Sequence, residues 1–204
     1  MKKEIWMVVI LVLVATVSSG VLGFVNVTTR PIIKRNEVRK LRESVLESVN
    51  VQFEADNLVN KFESEFRAEE LGGKDIYFRY DDEGNLTGVT FEISGSGFQG
   101  PITAIISLKP DLETIVGLEI LDHQETPGLG ARITDEDFLR QFNGKIVRPE
   151  ILVVTDAGDE ENKVDAITGA TRTSKAIQGI INDTLSEVQT NILTDKVMER
   201  FSHE

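Results

Sequence analysis

Asp165-Ala-Ile-Thr168-Gly169-Ala170-Thr171-Arg-Thr173-Ser174 joins the two kinds of pattern in this chain. Behind it lie short β-branched runs, the last being Ile151–Thr155, and an acidic loop, Asp156–Asn162. Ahead of it Ile177, Ile180, Ile181, Leu185, Val188, Ile192 and Leu193 recur at helical spacing, in a pattern that continues to about Phe201. Strands gathered before a long terminal helix predict an α+β domain with an antiparallel sheet. The hydroxyl-rich, glycine-containing stretch falls at the start of that helix, and two readings are open there. Unpaired amides and the helix dipole make such a place an anion site. Alternatively, Thr168 or Ser174 is simply the N-cap of the helix.

Two hairpin-like units precede this stretch. Asp75–Tyr80 and Leu86–Ile93 flank the turn at 81–85; Ile102–Leu108 and Thr114–Leu121 flank the turn at 109–113. Alternation in Val89, Phe91, Ile93 and in Leu118, Ile120 predicts half-buried strands. The acidic turns lack EF-hand spacing and read as solvated turns. Gly95-Ser-Gly97-Phe98-Gln-Gly100 matches a dinucleotide fingerprint, but that motif needs a helix directly after it, and residues 101–108 read as a strand. A turn or bulge is expected instead. Leu58–Leu71 reads as a helix ended by Gly72-Gly73, and Thr134 as the cap of a helix over Asp135–Phe142. Between them His123-Gln-Glu125-Thr126-Pro127-Gly128-Leu129-Gly130 makes a tight loop where backbone can approach a ligand. Leu129 is either exposed for something flat to cover or tucked into the core. Asn182-Asp-Thr184 fits a glycosylation sequon, but its mid-helix position argues against use.

The 204 residues contain no cysteine and two histidines, His123 and His203. Disulfides, cysteine-ligated iron–sulfur clusters and thiolate zinc sites are excluded, and a histidine-rich metal site with them. Redox chemistry in such a chain requires an organic cofactor. No hydrolytic triad is recognisable. Charge is unevenly spread: residues 1–42 carry eight Lys/Arg against Glu4 and Glu37, a net of +6, within a chain of net charge −12. An acidic body argues against nucleic acid as a partner, and a basic start suits lipid headgroups.

After the charged tip at residues 1–4, nothing from Ile5 to Thr29 is charged, and 5–29 is predicted to be a transmembrane helix. Trp6 suits the interface. Ser18-Ser19-Gly20 would fit a cleaved signal peptide, but the apolar run continues past them and favours an uncleaved anchor. Arg30, Lys34, Arg35, Arg39, Lys40 and Arg42 follow, which by the positive-inside rule alone would put the body in the cytoplasm. Pro31 suits a helix start, so residues 30–50 read as a separate juxtamembrane amphipathic helix with Ile33, Val38, Leu41, Val45 and Val49 on one face. That face either works on a membrane partner or packs on the chain's own domain. Residues 51–204 form the remaining domain.

Asp165-x-x-Thr168-Gly169-Ala170-Thr171 resembles the D-x-x-(S/T)-G-A-T signature of flavinylated membrane proteins. With Glu125-Thr-Pro-Gly-Leu-Gly130 about forty residues earlier and an anchor ahead of both, the chain resembles the G subunit of Rnf-type ion-translocating electron-transport complexes, a relative of the C subunit of sodium-translocating NADH:quinone reductases. The resemblance implies a soluble FMN-binding domain behind the anchor, with FMN joined by a flavin transferase through a phosphoester to Thr171. It implies Glu125, Thr126 and Leu129 as ring or ribityl neighbours, Gly128 and Gly130 as points of close approach, and Thr168, Gly169, Ala170 and Thr173 around the phosphate. Asp165 would belong to the transferase's recognition sequence. No catalytic residue and no metal are expected, and NAD would bind elsewhere in the complex. The resemblance also implies an extracytoplasmic body on a single-pass anchor in the cytoplasmic membrane, against the charge rule, with other membrane and peripheral subunits as partners. A stand-alone anchored flavin carrier and a flavin-free anchored assembly module remain alternatives.

Overall fold

The computed structural model describes residues 2–188, and its contacts divide the chain into two units, Met1–Lys40 and Leu41–Glu204. Helix α1 runs without a break over Lys2–Ser48. In the first unit its apolar side chains, among them Trp6, Leu11, Leu22 and Phe24, are uncovered by protein. The segment is long and apolar enough to cross a membrane. The expected separate helix over 30–50 is corrected: Pro31 lies inside α1. A single proline removes one helical N–H, and beside it Thr28 and Thr29 hydroxyls donate to the Val25 carbonyl at 2.9 and 2.8 Å. The carbonyl left without its helical donor is that of Val27, and the loss of this one bond does not end a helix of this length.

In the second unit α2 (Leu58–Glu65) is followed by β1 (Phe66–Leu71), β2 (Lys74–Tyr80), β3 (Leu86–Ser96), β4 (Pro101–Leu108) and β5 (Ile115–His123). The five strands form one antiparallel meander in chain order. Both expected hairpins are present. The helix expected over Leu58–Leu71 stops at Glu65, because Gly72 and Gly73 do not end a helix. Both have positive φ, 60° and 79°, the geometry of a two-residue hairpin turn, and they set Leu71 opposite Lys74. The acidic turns close on themselves. Asp81 accepts from the Glu83 and Asn85 amides and Asp111 from those of Glu113 and Thr114.

Alternation along the strands gives the sheet two buried faces. Ile76, Phe78, Phe91, Ile93, Ile102, Ile106 and Leu118 face α4 (Thr171–Val188), which contributes Ile177, Ile180, Ile181, Leu185 and Val188. Tyr77, Ile105 and Leu121 face the opposite way, onto Val45, Leu46 and Val49 from the end of α1 and Leu58 and Phe62 from α2. The residues around Val45 thus pack on their own domain. There Ser48 Oγ bonds Ser107 Oγ at 2.7 Å, which bonds Thr90 Oγ1 at 2.6 Å, satisfying three buried hydroxyls in one chain.

After β5 come a 3₁₀ turn at Gly130–Thr134, the short α3 (Glu136–Leu139) and a second 3₁₀ turn at Arg140–Phe142. Thr134 does not cap this segment; its hydroxyl donates to the Ala131 carbonyl, and Asp135 occupies the cap position. The strand expected over Ile151–Thr155 is β6 (Leu152–Val154), and it pairs in parallel with β7 (Lys163–Asp165), which the acidic composition of its surroundings concealed. The Asn182 amide donates to and accepts from the Ile151 backbone at 3.0 Å, and Gln178 accepts from Val153 N at 2.7 Å, fastening β6 to α4. That explains Asn182 without glycosylation. The expected stripe at Ile192 and Leu193, and the tail to Phe201, lie outside the described residues.

Candidate functional site

β7 ends at Asp165, and the next turn is built from its own atoms. Ala170 N donates to Ile167 O; Ile167 N donates to Ser174 Oγ, which in turn donates to Ala170 O, both at 3.0 Å. Gly169 takes φ +83°, a conformation that strains any residue with a Cβ. Ile167 and Ala170 face the core, leaving Thr168, Gly169 and Thr171 exposed. Thr171 is the first residue of α4, and among the described residues neither its hydroxyl nor that of Thr168 has a protein partner. The N-cap reading is therefore corrected: Thr168 caps nothing, and Ser174 reaches back to the turn. The ladder of α4 begins with Ser174 N to Ala170 O, so the amides of Thr171, Arg172 and Thr173 precede it.

Glu125 ties this turn to two other segments. It is 5% exposed. Its Oε1 accepts from the Phe98 and Gln99 amides at 2.7 and 2.9 Å, and its Oε2 accepts from Thr173 Oγ1 at 2.7 Å. Burial alone would raise its pKa, but the Thr173 hydroxyl, the two amides and nearby His123 outweigh burial and hold it below the ordinary carboxylate value. Glycines make the room: a Cβ on Gly97 would sit 2.5 Å from Oε1, and one on Gly130 would sit 2.7 Å from Oε2. The Gly95–Gly100 segment is thus the end of β3 and the β3–β4 turn, closed by Gly97 N to Gly100 O and clamped by Glu125.

The two motifs meet at a second point. Leu129 is 51% exposed, and its Cδ2 lies within 3.7 Å of where a Gly169 Cβ would be. Phe98 is 50% exposed, with the Arg172 guanidinium 4.9 Å from its ring centroid. Within Leu41–Val188 the exposed large apolar side chains are Val59, Phe98 and Leu129. Two of them flank the Thr171 turn, where an apolar surface next to an anion-ready helix start is what a flavin nucleotide needs.

Of the residues expected at the site, Thr126, Gly128, Leu129, Thr168, Gly169 and Thr171 are exposed, whereas Glu125, Gly130, Ala170 and Thr173 are buried. The buried four shape the site from beneath; the Glu125 and Thr173 side chains are spent on each other. Asp165 is exposed and accepts from Ala157 N at 2.7 Å, so it also pins the acidic loop. Sequence reasoning missed Phe98, Gln99 and Arg172. An aromatic residue between glycines, Phe98 in 97–100, is the signal the sequence offers for the first two.

The match to known proteins coincides with this geometry. The FMN-binding domain family model covers residues 97–186, from the Glu125-clamped turn to the body of α4. The G subunit of the ion-translocating oxidoreductase complex of Vibrio atlanticus is 32% identical over 191 residues, 89% of this chain and 88% of the relative. The chain belongs to the G-subunit family of ion-translocating oxidoreductase complexes. The corresponding G subunit of Methanosarcina acetivorans is 35% identical over 116 residues, 55% of this chain, and there the match spans 58% of the relative's length. Among solved structures, the C subunit of the Na(+)-translocating NADH-quinone reductase of Parabacteroides distasonis superposes with a TM-score of 0.68 at 26% identity, over 78% of this chain and 94% of its own. The fold and the family relation expected from the two motifs are thereby established.

Proposed function

We propose that this chain is the electron-transfer subunit of a membrane-bound, ion-translocating ferredoxin:NAD oxidoreductase complex, carrying FMN joined through its phosphate to Thr171 Oγ. One observation carries the covalent reading: the last threonine of the signature stands exposed at the first position of α4 with its hydroxyl unengaged, while Leu129 of the second motif lies against Gly169. The fit is chemical as well as steric. The amides that open α4 and the exposed Thr168 suit a phosphate, and Leu129 and Phe98 suit an apolar ring. When bound, FMN supplies reversible one- and two-electron transfer, and the surrounding protein dipoles set its potential.

The residues of the chain tether and position. Thr171 would lose its hydroxyl proton as an Oγ–P bond replaced the phosphoanhydride bond of flavin adenine dinucleotide, with AMP as the leaving group, a step run by a flavin transferase that would read Asp165 within the signature. Gly128 and Thr126 leave the loop open on the solvent side, and the Glu125–Thr173 bond holds the two motif loops in register. No residue is assigned to catalysis. Family membership implies further subunits of the complex, and the basic run from Arg30 to Arg42 is proposed to meet lipid headgroups. We place the domain on the extracytoplasmic side of the cytoplasmic membrane, where a covalent tether prevents loss of the flavin by dilution.

Full-length protein co-expressed with the transferase should show one FMN adduct on the Thr171 peptide, abolished in Thr171→Ala. No adduct, or one that Thr171→Ala leaves in place, would falsify the covalent assignment. Reporter fusions at the C-terminus test the topology: activity of a cytoplasm-only reporter would sink the extracytoplasmic placement.

A further inference from the structure

Arg172 is an anomaly by the rules of helix stability. A cation in the first turn opposes the helix dipole, and that position ordinarily favours Asp or Glu. Arg172 is exposed and has no ion pair among the described residues to compensate it. Its side chain nonetheless has one partner. Its guanidinium lies 4.9 Å from the centroid of Phe98, whose backbone N–H donates to Glu125 Oε1 at 2.7 Å. The fold therefore holds a positive charge where the helix alone would disfavour it.

We infer that Arg172 is the counter-charge of the phosphate on Thr171, with Phe98 as the platform that keeps the guanidinium in place; the inference rests on the covalent reading above. Covalent geometry supports the assignment independently of how the flavin ring lies. Thr171 and Arg172 are consecutive in the first turn of α4; consecutive helical side chains diverge, but a phosphoester stays within a few bonds of the Thr171 backbone and the long arginine side chain spans that divergence. A guanidinium over an aromatic ring spends none of its donors on an oxygen there, so they remain available for phosphate oxygens. A phosphodiester keeps one negative charge, which one arginine neutralises. Arg172 thus adds a charge-assisted contact to the amides that open α4.

The test uses full-length protein in mild detergent, flavinylated with purified transferase and flavin adenine dinucleotide, alongside Arg172→Gln, Arg172→Lys and Thr171→Ala. Without flavin, Arg172→Gln should melt at or above the wild-type temperature, because a cation leaves a helix N-terminus. With flavin attached, the wild type should gain melting temperature, and the gain should shrink on raising salt from low to high. Arg172→Gln should lose most of that gain and its salt dependence, and Arg172→Lys should keep part of both. The rate of adduct formation is followed alongside, to separate recognition by the transferase from stabilisation of the attached phosphate. An equal gain in melting temperature on flavinylation in wild type and Arg172→Gln overturns the inference whatever the rate does, since a rate effect alone would mean recognition by the transferase. If the wild type acquires no adduct at Thr171, the covalent reading itself has failed and this inference falls with it.

Discussion

Replacing Glu125 should cost more than its loop position suggests. Its carboxylate holds Phe98 N, Gln99 N and Thr173 Oγ1 at 2.7 to 2.9 Å and is 5% exposed. Hydrogen bonds to a charged group contribute about 1.5–3 kcal/mol each. The two amides belong to a turn at the surface and can turn to water once the carboxylate is gone. The Thr173 hydroxyl is buried and cannot. Counting that bond in full and the amides in part gives a loss of about 3–5 kcal/mol for Glu125→Ala. For a domain of this size about 2–4 °C of melting temperature is lost per kcal/mol, so the fall should be about 6–20 °C. Glu125→Gln keeps one acceptor oxygen and should fall by less. Thermal and urea unfolding of the flavin-free protein measure this directly. A double-mutant cycle with Thr173→Val isolates the buried bond, with an expected coupling of about 1–3 kcal/mol. The sign with pH is also fixed. Because the folded pKa of Glu125 is lowered, its contribution is full above the ordinary carboxylate pKa and is lost as pH falls through the folded value. A fall no larger than that of an ordinary surface substitution, about 0.5 kcal/mol, or no coupling to Thr173, would refute the clamp.

Other consequences follow from packing and from a second carboxylate. A Cβ on Gly117 would drive into the backbone carbonyl of Ser48, whereas one on Gly95 would meet Ile180 Cγ1 at 2.7 Å, a side-chain atom that can shift; Gly117→Ala should therefore lose about 3 kcal/mol or more and Gly95→Ala about 1–2 by denaturant unfolding, the reverse order counting against this packing. Burial, then Glu47 and Glu136, push Glu119 up to about 7. A raised carboxyl binds its proton more tightly when folded, so stability should decline as pH rises from the ordinary Glu value through about 7. Glu119→Gln should flatten that decline in a series of melting temperatures; an unchanged slope would contradict it.

The residues that declare the family lie in two short motifs, and a linear reading found both because each is contiguous: the Pro-Gly loop before Gly130 and the signature ending at Thr171. The paired hairpins were equally legible, since alternation of period two records which side of each strand is buried. So was the apolar anchor, whose length alone sets its range. Local pattern failed where two structures share one pattern. Phe62 and Phe66 sit at helical spacing, yet the chain leaves the helix between them, because the turn at Gly72-Gly73 rewards strand pairing with β2. Pro31 reads as a boundary in the sequence, yet α1 runs through it, since a proline removes a single bond from the ladder.

The division at the site has the same origin. From the sequence came the hydroxyl proposed to carry the flavin and the loop that accompanies it, since those depend on residues adjacent in the chain. Only the tertiary structure decided which members of the motifs face solvent and which face one another. Glu125 reads as a ligand in sequence and is a buried clamp in the fold, because its partners Phe98, Gln99 and Thr173 lie 27, 26 and 48 residues away. Arg172 and Phe98 show no relation in the linear chain, and the guanidinium lies over the ring in space. A motif fixes chemistry at one point of the backbone; burial and partnership are long-range properties, settled when the β3–β4 turn, the loop after β5 and the start of α4 are brought together at one end of the sheet.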